Sequence, residues 1–203
     1  MHDLSLYLLE VLENSVRAGA KQVEIGLTID GATDTLQMTV DDDGHGLTAS
    51  PDRTLDPFFT TKPGKKTGLG LSLLKADAQA AGGDLRIGPS PTLRGVRVVT
   101  SMQLDHVDRP PLGDMATSII VTAATNPGID FAVTLAGDHF SPPLLRGSPK
   151  EAAERLALKR PIDQALEQTT ETKSDQGVLN MNDEVDKTEP GCSGCCGEEA
   201  SEE

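Results

Sequence analysis

The chain has 203 residues, is 36% hydrophobic and 25% charged, and carries a formal net charge of −14. That fits one ordinary domain plus an extra segment and excludes a large multidomain assembly. With one Tyr, four Phe and no Trp, the core must be aliphatic, and stacking platforms for single-stranded nucleic acid are not expected; the acidity also opposes phosphate-backbone binding.

In chain order, residues 3–18 place Leu4, Leu8, Val11, Leu12 and Ser15 at helical spacing, with Leu6 and Leu9 widening the apolar face, and Gly19 ends the run. KQVEIGLTI and TLQMTV alternate apolar positions on either side of DGATD, which reads as a hairpin or adjacent strands. DDDGHG follows, and a polar, Pro-containing stretch leads into DPFFTTKPGKKTGLG, which lacks periodicity and is expected to form a mobile loop. LGLSLLKADAQAAGG restores helical spacing and closes on a Gly pair; DLRIG and GVRVVTSMQL read as strands. A helix over residues 113–125 and a strand over 129–136 form one added helix–strand unit, and PKEAAERLALKR reads as a short surface helix with Pro in its first turn.

The charge is uneven, since residues 171–203 hold ten acidic residues against Lys173 and Lys187. With few large apolar residues to offset the entropy of folding, that segment reads as a disordered acidic tail. No run approaches the roughly 18 apolar residues of a membrane span. MHDLSLYLLE lacks a basic start, and all three cysteines crowd into CSGCC. These features point to a cytoplasmic protein without membrane or nucleic-acid partners.

Four elements carry chemistry. Glu10, Asn14 and Arg17 share one helix stripe, where a carboxylate, a carboxamide oxygen and a cation could activate water, ligate Mg²⁺ and touch phosphate, although such triplets also occur on solvated faces. Asp42 with Gly44 and Gly46 follows a strand: a buried carboxylate there can accept from an exocyclic amine while the glycines let the backbone approach a ring, the alternative being an acidic turn. In DPFFTTK, Phe58 and Phe59 would anchor a folded-back loop, and Lys62, Lys65 and Lys66 form the densest positive cluster in an acidic chain, fit for solubility or for phosphate. Thr67, Gly68, Leu69 and Gly70 open a helix whose first N–H groups suit a triphosphate, without the Walker A spacing.

In this order and spacing the four elements resemble the Bergerat-fold ATPases, the family of DNA gyrase B subunits, MutL, sensor histidine kinases and anti-sigma serine kinases. The resemblance runs from about Leu4 to Leu104, through ENSVRAGA, DDDGHG, DPFFTTK and GLGLSLLK to AAGGDLRI and GVRVVTSMQL. It implies an α+β fold, a two-layer sandwich with a mixed, mostly antiparallel sheet and helices on one face, binding ATP and Mg²⁺. Under it Asn14 would bind Mg²⁺ and Glu10 would orient or deprotonate the attacking group. Asp42 would read the adenine amine, with Gly44 and Gly46 shaping its pocket. Thr67, Gly68, Leu69 and Gly70 would border the phosphates, and Arg17 resembles the basic residue that follows the asparagine by three in histidine kinases.

No phosphoacceptor helix pair precedes the ATPase helix in this sequence, and His2, His45, His106 and His139 match no acceptor motif, so phosphate is expected to pass to a partner protein. An ATP-driven switch or slow ATPase is the alternative. LDHVDRPPLGDMATSI and the N-terminus resemble small ATP-binding proteins associated with iron hydrogenase components, which implies a hydrogenase or redox partner; a homodimer is compatible with the resemblance. The expected division is an ATPase domain over 1–104, a helix–strand extension of its sheet over 105–145, a surface helix and linker over 146–170 and the tail over 171–203. In the tail, Cys192, Cys195 and Cys196 could share a metal if a fourth ligand came from elsewhere, the alternative being a redox-reactive tail.

Overall fold

Asp3 accepts from the Leu6 N–H at 3.0 Å and so caps helix α1, Leu4–Arg17. Leu4, Leu8, Val11, Leu12 and Ser15 are buried along one stripe of this helix, as the spacing predicts. Tyr7 joins them and Leu6 stays exposed. Gly19 ends the helix at φ +74°, a conformation in which glycine has no Cβ to strain.

The computed structural model describes residues 3–59, 69–137 and 145–146, all within the first of two units into which the chain divides, Met1–Thr169. Strands β1, Gln22–Asp30, and β2, Thr35–Asp42, form an antiparallel hairpin with Val23 opposite Asp42 and Asp30 opposite Thr35. In the turn, the Asp30 carboxylate accepts from the N–H groups of Ala32 and Thr33 at 2.9 and 3.0 Å. Next come the one-turn helix α2, Pro51–Thr54, helix α3, Leu69–Ala80, and strands β3, Asp84–Pro89, and β4, Val96–Gln103. Helix α4, Met115–Thr125, and strands β5, Asp130–Gly137, and β6, Leu145–Arg146, complete the described elements.

These strands form one sheet in the order β3-β4-β2-β1-β5-β6. Every neighbouring pair is antiparallel except β1 with β5, which run parallel. The architecture is therefore the expected α+β arrangement, with the added helix–strand unit present as α4 and β5. Val23, Ile25, Leu27 and Ile29 of β1 pair in register with Val40, Met38 and Leu36 of β2 and with Phe131, Val133 and Leu135 of β5, and all are buried. They form a single apolar face because side chains alternate along a strand. Leu8 and Leu12 of α1, Leu74 and Ala78 of α3, and Ile119 and Ala123 of α4 close over that face. Each buried Val, Leu, Ile or Met side chain stabilises the fold by about 1.5–3 kcal/mol.

Three local findings differ from the sequence reading. Helix α2 lies in the polar, Pro-containing stretch before the expected loop, where no element was expected, because Ser50 caps it and Pro51 supplies a preset first turn. The two phenylalanines part company: Phe59 is half-buried with the Arg53 guanidinium 4.9 Å from its ring centre, whereas Phe58 is 82% exposed. Strand β2 runs through Asp42 rather than ending before it, which sends Asp41 and Asp42 to opposite faces of the sheet. Residues 60–68, the segment from residue 147 onward and the cysteine tail lie outside the described residues.

Candidate functional site

A cavity of about 430 Å³ opens between the second half of α1, the end of β2 and the start of α3. Its volume lies within the range of small-molecule sites. Val40, Ile87, Val96 and Val98 make an apolar wall from the sheet, while Glu10, Asn14, Arg17, Asp42 and Gly70 contribute chemistry. Residues of the α1, Asp42 and Gly70 motifs converge here, joined by Ile87, Val96 and Val98 of β3 and β4.

Asp42 is buried at the cavity's inner end, 5% exposed. Its Oδ1 accepts from the N–H of Gly44 at 3.0 Å and of Val96 at 3.1 Å, and its Oδ2 accepts from the Ser15 hydroxyl at 2.9 Å. An ionised carboxylate has about four acceptor positions; among the described residues three are filled, which leaves one on Oδ2. The following turn is built to keep this arrangement. A Cβ on Gly44 would come 2.6 Å from the Ala18 side chain, and one on Gly95 would fall on the Asp42 backbone and carboxylate oxygens. Gly46 adopts φ +82°, and the His45 N–H donates to the Ala18 carbonyl at 3.1 Å. His45 also lines the cavity, its Nδ1 2.9 Å from the Gly46 carbonyl oxygen.

Asp43, beside Asp42, turns away and accepts from the N–H groups of Lys21 and Gln22 at 2.6 and 2.9 Å, fixing the start of β1. Asp41, on the other face of the sheet, is bound by Ser90 Oγ at 2.6 Å and Arg97 Nε at 2.7 Å. Neither belongs to the cavity, so of the three consecutive aspartates Asp42 is the one that reaches it.

On α1, Glu10 and Asn14 face the cavity as their spacing predicts. The Glu10 carboxylate lies against Gly70 so closely that a Cβ there would coincide with it. Arg17 donates to Asn14 Oδ1 at 3.1 Å and pairs with Glu13. Leu69 opens α3 and is 47% exposed, and it is Leu71 that joins Gly70 in lining the cavity. Lys62, Lys65, Lys66, Thr67 and Gly68 lie outside the described residues.

The donor set fits a nucleotide and a hard cation. Asn14 Oδ1 is an oxygen ligand of the kind Mg²⁺ takes, and phosphate oxygens and water would complete its shell; the Glu10 carboxylate beside it is a proton acceptor. Gly70 lies in the first turn of α3, where helix N–H groups favour an anion.

The sequence reading missed Ser15, Gly95 and Val96 around Asp42. Ser15 read as part of the apolar stripe, and its place directly after Asn14 was the available clue. Gly95 and Val96 carried no local signal, because they meet Asp42 only through the pairing of β2 with β4.

Residues 2–106 match the family model described as histidine kinase-, DNA gyrase B-, and HSP90-like ATPase. The signal transduction histidine-protein kinase AtoS of Escherichia coli (strain K12) is 36% identical over 90 residues, covering 43% of this chain and 15% of that kinase. The chain thus spans well under two thirds of that relative's length. Among solved structures, the N-terminal domain of a DNA repair protein aligns over 76% of this chain and 58% of its own at a TM-score of 0.48 and 16% identity. The Aquifex aeolicus MutL ATPase domain complexed with ADP aligns over 76% and 67% at 0.40 and 14%.

Proposed function

The chain belongs to the histidine kinase-, DNA gyrase B- and HSP90-like ATPase family, and from that premise we propose that it binds Mg·ATP and transfers phosphate to a partner protein in signalling or regulation. One observation carries the reading: a single cavity brings together a buried carboxylate with one free acceptor position, a carboxamide oxygen, a second carboxylate and a glycine-lined helix start.

In this reading Asp42 accepts the adenine amine, and the valines and Ile87 cover the base. Asn14 holds Mg²⁺, which supplies charge neutralisation to the phosphates when bound. Glu10 stands at the start of α3, where the terminal phosphate would lie. It takes the proton from the partner's attacking group as that group bonds to the γ-phosphorus and ADP departs. Such transfer rests on positioning and charge stabilisation more than on covalent chemistry of the protein. Arg17 moves from Asn14 to a phosphate oxygen, and Lys62, Lys65 and Lys66 with the Thr67–Gly70 segment complete the phosphate surroundings. The partner is read as a redox or hydrogenase-associated protein, and the compartment as the cytoplasm. Among the described residues no helix is long and apolar enough to cross a membrane.

Incubating the full chain with γ-labelled ATP and host lysate tests the proposal. A labelled partner that disappears with Glu10→Gln is the expected result. Competent ATP binding with phosphate released to water and no labelled protein would replace transfer by slow hydrolysis.

A further inference from the structure

Resting on the reading that the cavity takes a purine nucleotide, we propose that Ser15 is the positioning residue that makes it choose a 6-amino base over a 6-oxo base. Ser15 is 3% exposed and lines the cavity together with Asp42. Its hydroxyl has one proton and two neighbouring acceptors, Asp42 Oδ2 at 2.9 Å and the Val11 carbonyl at 3.5 Å. The nearer, charged acceptor takes it, since 3.5 Å lies beyond the ordinary O–H···O range.

Two consequences follow for Asp42. The carboxylate is held at both oxygens, by backbone N–H groups on Oδ1 and by Ser15 on Oδ2, so its plane cannot turn. Every bond in the set points toward the carboxylate, and the remaining position on Oδ2 is therefore an acceptor. A base that offers an N–H there is satisfied. A base that offers a carbonyl oxygen sets acceptor against acceptor in a buried place, which leaves both unpaired.

Without the Ser15 hydroxyl, Oδ2 has a second open position and the carboxylate is fixed through Oδ1 alone. The amine then meets a looser acceptor, while a 6-oxo base gains room for a bridging water. The residue acts through Asp42 rather than by touching the reacting phosphate.

Calorimetric titration of the full chain with Mg·ATP and with Mg·ITP, which carries a 6-oxo base on the same sugar and triphosphate, reads this selection directly. Wild type is expected to favour ATP by about a hundredfold or more. Ser15→Ala is expected to bind ATP about tenfold more weakly and to change ITP binding by less than about threefold, so that the preference shrinks. A merely structural role would weaken both nucleotides alike and keep the ratio; that result, or a wild type that binds both equally, overturns the proposal. If Ser15→Ala fails to fold, Ser15→Cys, similar in size and a weak donor, is expected to show the same narrowing, and an unchanged ratio there overturns it equally. Wild type that binds neither nucleotide defeats the nucleotide reading itself, and the proposal falls with it.

Discussion

The carboxylate of Glu10 occupies the space that a side chain on Gly70 would need. Helix α3 therefore starts against the one acidic group of α1 that lines the cavity, and Gly70→Ala must push that group aside. The cost to stability is small, because Glu10 is the end of a flexible side chain and alanine in a helix recovers about 0.5–1 kcal/mol over glycine. Thermal unfolding should show Gly70→Ala within about 1 kcal/mol of wild type, and phosphate release or transfer should fall at least about tenfold. Full activity in this variant would separate Glu10 from the chemistry.

Replacing the Glu10 carboxylate itself sharpens the point. Glu10→Gln keeps the size of the side chain and removes the proton acceptor. Nucleotide affinity is expected to stay within about threefold, while turnover drops by about 10²–10⁴. Parallel calorimetry and turnover measurements check this, and equal losses in both would make Glu10 a binding residue.

Gly95 predicts an effect on the fold. A Cβ there would overlap the Asp42 backbone and carboxylate oxygens and approach the Gly44 nitrogen at 2.6 Å, whereas one at Gly88 meets nothing within 4 Å. Gly95→Ala should lose about 1–3 kcal/mol of stability in urea unfolding and bind nucleotide weakly. Gly88→Ala should stay within about 0.5 kcal/mol of wild type. Equal stability of the two would contradict the packing of β4 against Asp42.

The chain's one tyrosine gives a pH signature. Tyr7 is buried and donates to Asp77 at 2.6 Å. Burial first, then this hydrogen bond and the charges of Asp77 and Glu10, push its phenol above the ordinary value of 10.0. Above about pH 10 the unfolded chain binds fewer protons than the folded chain, so stability falls as pH rises. This contribution is whole below about pH 10 and is lost as the pH climbs through the folded-state value. In an alkaline absorbance titration, phenolate should appear with unfolding rather than before it, and Tyr7→Phe should remove this part of the loss. Phenolate forming near pH 10 in the folded chain would contradict the buried bond.

Much of this architecture was legible in the sequence where one element carries its own pattern. The stripe on α1 placed Glu10 and Asn14, and the alternation in β1 and β2 led to Asp42. What stayed hidden depends on contacts between elements. Ser15 reads as one more small residue on an apolar face until β2 brings Asp42 to it. Gly95 looks like a turn glycine until strand pairing sets Asp42 beside it. Phe58 and Phe59 are alike in sequence, and it is the contact with Arg53 and the place in the cavity wall that separate Phe59 from the exposed Phe58.

Binding of Mg·ATP to the full chain, with Asp42→Asn as the paired variant, tests the central claim most directly. Asparagine keeps the shape and replaces one acceptor oxygen by a donor that cannot take the adenine amine. Calorimetry should show wild type binding one Mg·ATP and Asp42→Asn binding at least about thirtyfold more weakly, the equivalent of about 2 kcal/mol for a hydrogen bond to a charged group. Wild type without measurable binding, or a variant that binds as tightly, would contradict the assignment of this cavity to ATP.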